Sequence, residues 1–82
     1  MTFYVYVISS KIKKYLYVGI SNNIQRRFLE HQQGKNKTTR TYKPFDLILT
    51  ETFKTRMAAR QREKYLKSGI GKEWIKAKFI LV

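Results

Sequence analysis

The chain has 82 residues, 43% hydrophobic and 15% aromatic, enough for one small core and too few for a second. Lysine and arginine number 18 against 5 acidic residues, and a net charge of +13 points to a polyanionic partner, nucleic acid first. The absence of cysteine excludes disulfides and thiolate metal sites. The apolar runs are too short to cross a bilayer or act as a signal peptide, so a cytoplasmic protein with no membrane partner is the expectation.

Residues 3–9 alternate as a strand does, with Phe3, Val5 and Val7 on one face and Tyr4, Tyr6 and Ile8 on the other. A polar bridge leads to a second strand over residues 15–20, and so short a link predicts an antiparallel hairpin. Ser21-Asn22-Asn23 offers helix caps, and Asn22 followed by Gln25 fits a capping box. The helix should run to about Gln33 and close at Gly34, with Ile24 and Phe28 toward the core. Arg27 and His31 lie one turn apart on a neighbouring stripe. Residues 34–44 are a basic loop, with Lys35, Lys37, Arg40 and Lys43 before Pro44. Residues 45–53 predict a third strand.

Thr55 caps a second helix that ends at Gly69, with Ala58, Tyr65 and Leu66 as its apolar stripe and Glu63 at the edge. After Gly71 a third helix carries Trp74, Ile75 and Phe79. The order ββαβαα predicts an α/β (α+β) fold, one domain over residues 1–82, with a three-stranded antiparallel sheet flanked by helices.

Tyr6 and Tyr17 sit on paired strands, where aromatics are common for packing alone. His31 is the only histidine, and a lone surface histidine is most often incidental. Glu63 stands among Arg56, Arg60, Arg62, Lys64 and Lys67, where its plain role is an ion pair with Arg60 or Lys67. Together with Arg27, whose plain role is a solvated charge or a phosphate contact, these side chains suit phosphodiester hydrolysis. A carboxylate can hold a divalent cation, which neutralises phosphate charge. An arginine supplies donors to developing negative charge. A tyrosine can relay a proton, although its free pKa of ~10 makes it a weak base unless a cation lowers it. Lys13, Lys14, Lys35, Lys37 and Arg40 are the candidates for gripping a nucleic-acid backbone.

Val5-Tyr6-Val7 and Tyr17-Val18-Gly19 resemble the paired tripeptides of the GIY-YIG nucleases. Val18-Gly19-Ile20-Ser21, then Arg27 and His31 on the first helix and Glu63 on a later one, resemble the family's further motifs. The match runs through nearly the whole chain and is similar to small bacterial stand-alone members related to the N-terminal nuclease domain of excinuclease C. The resemblance implies metal-dependent endonuclease activity on DNA, serving repair or recombination. It implies Tyr6 as general base or partner of the metal's water, Tyr17 orienting water or phosphate, and Arg27 stabilising phosphoryl charge. His31 would assist proton transfer, and Glu63 would bind Mg²⁺ or Mn²⁺. Valines replace the glycine and isoleucine of the first tripeptide. An asparagine that many members carry after the glutamate is missing, since that region reads Lys72-Glu73-Trp74-Ile75-Lys76. Larger members add a DNA-binding domain, so sequence-specific cutting here would need a targeting partner protein. The alternative reading is a basic nucleic-acid-binding module with weak or no catalysis. A third is an RNA- or ribosome-associated structural protein.

Overall fold

The computed structural model describes residues 1–80. Strands β1 (Phe3–Ser10), β2 (Leu16–Ser21) and β3 (Phe45–Phe53) form one antiparallel sheet in the order β2-β1-β3. Helix α1 (Ile24–Gln32) follows the hairpin. After β3 come α2 (Arg56–Lys67) and α3 (Gly69–Ile75), then a π-helical turn over Lys76–Ile80. This is the ββαβαα order predicted from the sequence.

The centre of the sheet falls to β1 because it is apolar in both phases. Val5 and Val7 pack with Val18 under Ala59 and Leu66 of α2 and Ile75 of α3. Tyr6 and Ile8 pack with Phe45 on the opposite face, against Ile24 and Phe28 of α1. The sheet is therefore sandwiched, and each fully buried aliphatic side chain contributes about 1.5–3 kcal/mol. Two polar clamps fix the helices to the sheet. The Gln32 amide donates to the Phe45 carbonyl at 3.1 Å and accepts from the Phe45 N–H at 2.7 Å. Arg62 grips Glu51 of β3 with two bonds, at 2.8 and 3.1 Å, tying α2 to the far edge strand.

Several local expectations need correction. The α1 cap is Asn23, whose side chain accepts from the Arg26 N–H, so the Asn22–Gln25 capping box does not form. Gly34 does close the helix, at φ 77°, with its N–H on the His31 carbonyl and that of Lys35 on the Glu30 carbonyl. Strand β2 begins at Leu16, leaving Tyr15 to stack on Tyr42 with ring centroids 3.8 Å apart. The basic loop contains one helical turn, Arg40–Tyr42. In α2 the buried positions are Ala59 and Leu66, while Tyr65 is exposed with Arg62 beside its ring and Ala58 is only half-buried. Helix α3 starts at Gly69 because Ser68 caps it by accepting from the Gly71 N–H. Phe79 falls in the π-helical turn and packs edge-on against Trp74.

Candidate active site

Tyr6 lies opposite Gly19 in the β1–β2 register. Its ring crosses directly over that glycine: a Cβ there would stand 2.5 Å from the hydroxyl. Glycine at this position is thus the vacancy into which the tyrosine folds. The hydroxyl lies 2.9 Å from Nε2 of His31, which α1 delivers from the layer above. Nδ1 of the same ring lies 2.8 Å from Oγ1 of Thr39. Tyr6, His31 and Thr39 are all buried, at 1%, 0% and 0% exposure, so the hydrogen-bonded chain is shielded from bulk water. Tyr17 completes the wall, its ring centroid 5.1 Å from that of His31 and 6.3 Å from that of Tyr6.

Arg27, one turn before His31, places its guanidinium beside the Tyr6 hydroxyl. Glu30 holds it from the other side, Nη1 to Oε1 at 3.0 Å. Contact with Tyr6 first, then with Glu30, raises the arginine pKa and keeps the group cationic. Burial pushes the Tyr6 phenol up to about 12, with Arg27 pulling down and the charges of Tyr17 and Glu63 pushing up. Burial, and then the charge of Arg27, lowers the His31 pKa, so its imidazole is neutral at pH 7.

Glu63 stands on α2, which packs on β1 and β2 from the opposite face. Its side chain is 13% exposed, and its charge is felt at Tyr6. The plain role foreseen for it is also present, an ion pair with Lys67 at 3.1 Å. Among the described residues no three His, Cys, Asp or Glu side chains cluster as a ready-made metal cage.

Four of the sequence-predicted residues, Tyr6, Tyr17, Arg27 and His31, therefore meet around one hydroxyl, with Glu63 within electrostatic range. The expectation of a surface histidine was wrong, since His31 is fully buried. Lys13 and Lys14 lie elsewhere, lining a hollow with Lys72 and Lys76. Lys35, Lys37 and Arg40 are exposed beyond α1. Sequence reasoning missed Thr39 and Glu30. A polar residue eight positions after the histidine carries no local signal, but Glu30 three after Arg27 is a helix-face pair that spacing could have shown.

A sheet held between helix layers, with both tripeptide tyrosines beside the histidine of α1, matches the fold and motif order of one known class. The chain belongs to the GIY-YIG family: residues 2–75 match the model of the GIY-YIG catalytic domain. It is similar to a UPF0213 protein of Natronomonas pharaonis, 44% identical over 66 residues, spanning 79% of this chain and 76% of that one. A UPF0213 protein of Haloquadratum walsbyi is 39% identical over 66 residues, 79% of this chain and 73% of that one. The solution structure of a UPF0213 protein from Bacillus halodurans superposes with a TM-score of 0.59 at 32% identity, covering 99% of this chain and 89% of that one.

Proposed function

We propose that this protein is a metal-dependent endonuclease that hydrolyses nucleic-acid phosphodiester bonds, with DNA as its substrate. The observation that carries the reading is the Tyr6 hydroxyl, held between the Arg27 guanidinium and Nε2 of His31. In this reading the Tyr6 hydroxyl donates to Nε2 and turns its lone pairs toward the neighbouring Arg27 guanidinium, which carries only donors. The Nδ1–H then donates to Thr39 Oγ1. In this arrangement Tyr6 takes a proton from the attacking water as it passes its own to His31. The water oxygen bonds to phosphorus, and the bond from phosphorus to the leaving oxygen breaks. Arg27 stabilises the charge on the phosphoryl oxygens. A phosphate arriving at Arg27 also offsets the cationic field that lowers the His31 pKa, so the imidazole becomes a better acceptor when substrate is bound.

Glu63 is the residue that would hold the divalent ion. Mg²⁺ keeps several waters and needs only one or two carboxylates beside the substrate phosphate, which suits a lone, mostly buried glutamate. When bound, the ion supplies neutralisation of phosphate and leaving-group charge.

The test is incubation of the protein with plain, nicked and branched DNA in Mg²⁺ or Mn²⁺, beside Glu63→Gln. Cleavage by the parent alone is expected. Equal cleavage by both would assign the activity elsewhere. Salt-sensitive binding with no turnover by either would favour the non-catalytic module that the +13 charge also allows.

A further inference from the structure

The five acidic side chains of the chain are all engaged: Asp46 with Lys11, Glu30 with Arg27, Glu51 with Arg62, Glu63 with Lys67 and Glu73 with Lys76. Among the described residues Arg26 and Arg56 have no carboxylate partner. Yet they converge with Arg27 on a hollow of about 250 Å³ between the start of α1 and the start of α2, floored by Phe3, Ile20, Ser21 and Asn22. Among the described residues no acidic side chain lines it. Arg27 is already balanced by Glu30, but Arg26 and Arg56 are not, and two uncompensated guanidinium-bearing residues lining one cavity favour an anion there. Arg56 is also not a free-swinging surface charge, because its guanidinium packs over the Phe3 ring at 5.1 Å from the centroid.

Arg27 lines this hollow and also touches Tyr6. An anion seated here is therefore a near neighbour of the group at the Tyr6 hydroxyl. Arg56 lines a second hollow as well, with Arg60 and Lys64 on the outer side of α2. Residues 56, 60 and 64 recur every fourth position, about 6 Å apart along the helix, the scale of one nucleotide of backbone.

We propose that the Arg26–Arg56 hollow seats a phosphate of the substrate strand next to the one that is cut, and that the strand continues along the Arg56–Arg60–Lys64 stripe of α2. The proposal rests on the nuclease reading for what happens at Tyr6, but the seat itself is a binding site for the phosphodiester backbone. None of the exposed lysines of the loop after α1 lines it.

The experiment measures binding of a fluorescently labelled DNA duplex by anisotropy over a salt series, in EDTA so that nothing is cut. Parent, R26A/R56A and the charge-preserving R26K/R56K are compared, with thermal unfolding as the folding check. The slope of log K against log salt should shallow by roughly 0.9 for each phosphate that R26A/R56A no longer neutralises, and R26K/R56K should keep most of it. Parent-like slope and affinity in a folded R26A/R56A would overturn the proposal. A mononucleotide that binds as tightly as the duplex, and whose binding R26A/R56A abolishes equally, would also overturn it, by making the hollow a small-phosphate site. Because turnover is not read, a shallower slope in R26A/R56A stands even if no cleavage by the parent is ever observed, which would remove the nuclease reading alone.

Discussion

Gly19→Ala should separate folding from catalysis. The added Cβ would stand 2.5 Å from the Tyr6 hydroxyl, 2.6 Å from Cζ and 2.9 Å from Cε1, where ordinary contact begins at 3.4 Å. The ring must therefore retreat by about 1 Å, into space already filled by Tyr17 and His31. Overpacking of this kind costs about 1–3 kcal/mol. Either that retreat or a shift of His31 to make room disturbs the 2.9 Å contact between the hydroxyl and Nε2. A misplacement of about 1 Å at a reacting group can cost on the order of 100-fold in rate. Single-turnover cleavage of labelled DNA and urea unfolding, run together, give both numbers. Gly69→Ala is the control, since its Cβ would meet nothing within 4 Å and should be neutral or slightly stabilising. A Gly19→Ala protein that is folded and cuts at the parent rate would refute the placement of Tyr6 at the reaction centre.

Thr39→Val keeps the side-chain shape but leaves Nδ1 of a fully buried His31 without its partner. It should cost about 1–3 kcal/mol and lower kcat while KM holds, with Thr39→Ser restoring both; denaturation and a kcat-against-KM split check this. Stability should also depend on pH through His31. Its folded pKa is lowered, so the unfolded chain binds the proton first as pH falls. The stability is full above about pH 6.5 and declines below it, and urea midpoints in His31→Gln should lose that dependence. Tyr6 gives the mirror image: stability falls as pH rises from 10.0 to about 12, because the unfolded phenol ionises first.

The sequence announces the parts of this molecule that are periodic. The alternation over residues 3–9 forecast a strand, and because both of its phases are apolar Val5, Tyr6, Val7 and Ile8 are all buried. The one-turn spacing of Arg27 and His31 forecast their common side of α1, and both reach Tyr6. Choices between near-equal neighbours were not legible. Asn22 and Asn23 are chemically identical caps, and only the path of the chain out of β2 selects the second. Gly69 read as the stop of the second helix and Gly71 as the residue before the third, yet Ser68 turns both into the first turn of α3. Contacts made across the fold were invisible too. Nothing local links Thr39 to His31, and no charge count shows that Arg26 and Arg56 converge on one hollow.

The ion pairs of the chain are of two physical kinds, and the difference bears on how a one-carboxylate site could work. Glu51 is held by two bonds from an arginine that also packs over Trp74 at 5.0 Å, an arrangement that resists exchange. Glu63 is held by a single lysine that is 52% exposed. Lys67 is the half-exposed member of that pair, and lysine is a mobile point charge on a flexible stem. Displacing Lys67 from Glu63 is therefore cheap, whereas displacing Arg62 from Glu51 would loosen α2 from the sheet. Of these two glutamates, the one whose charge reaches Tyr6 is also the one whose counterion is readily exchanged. That is the property a carboxylate needs if a hydrated divalent cation is to arrive with the substrate and leave with the product.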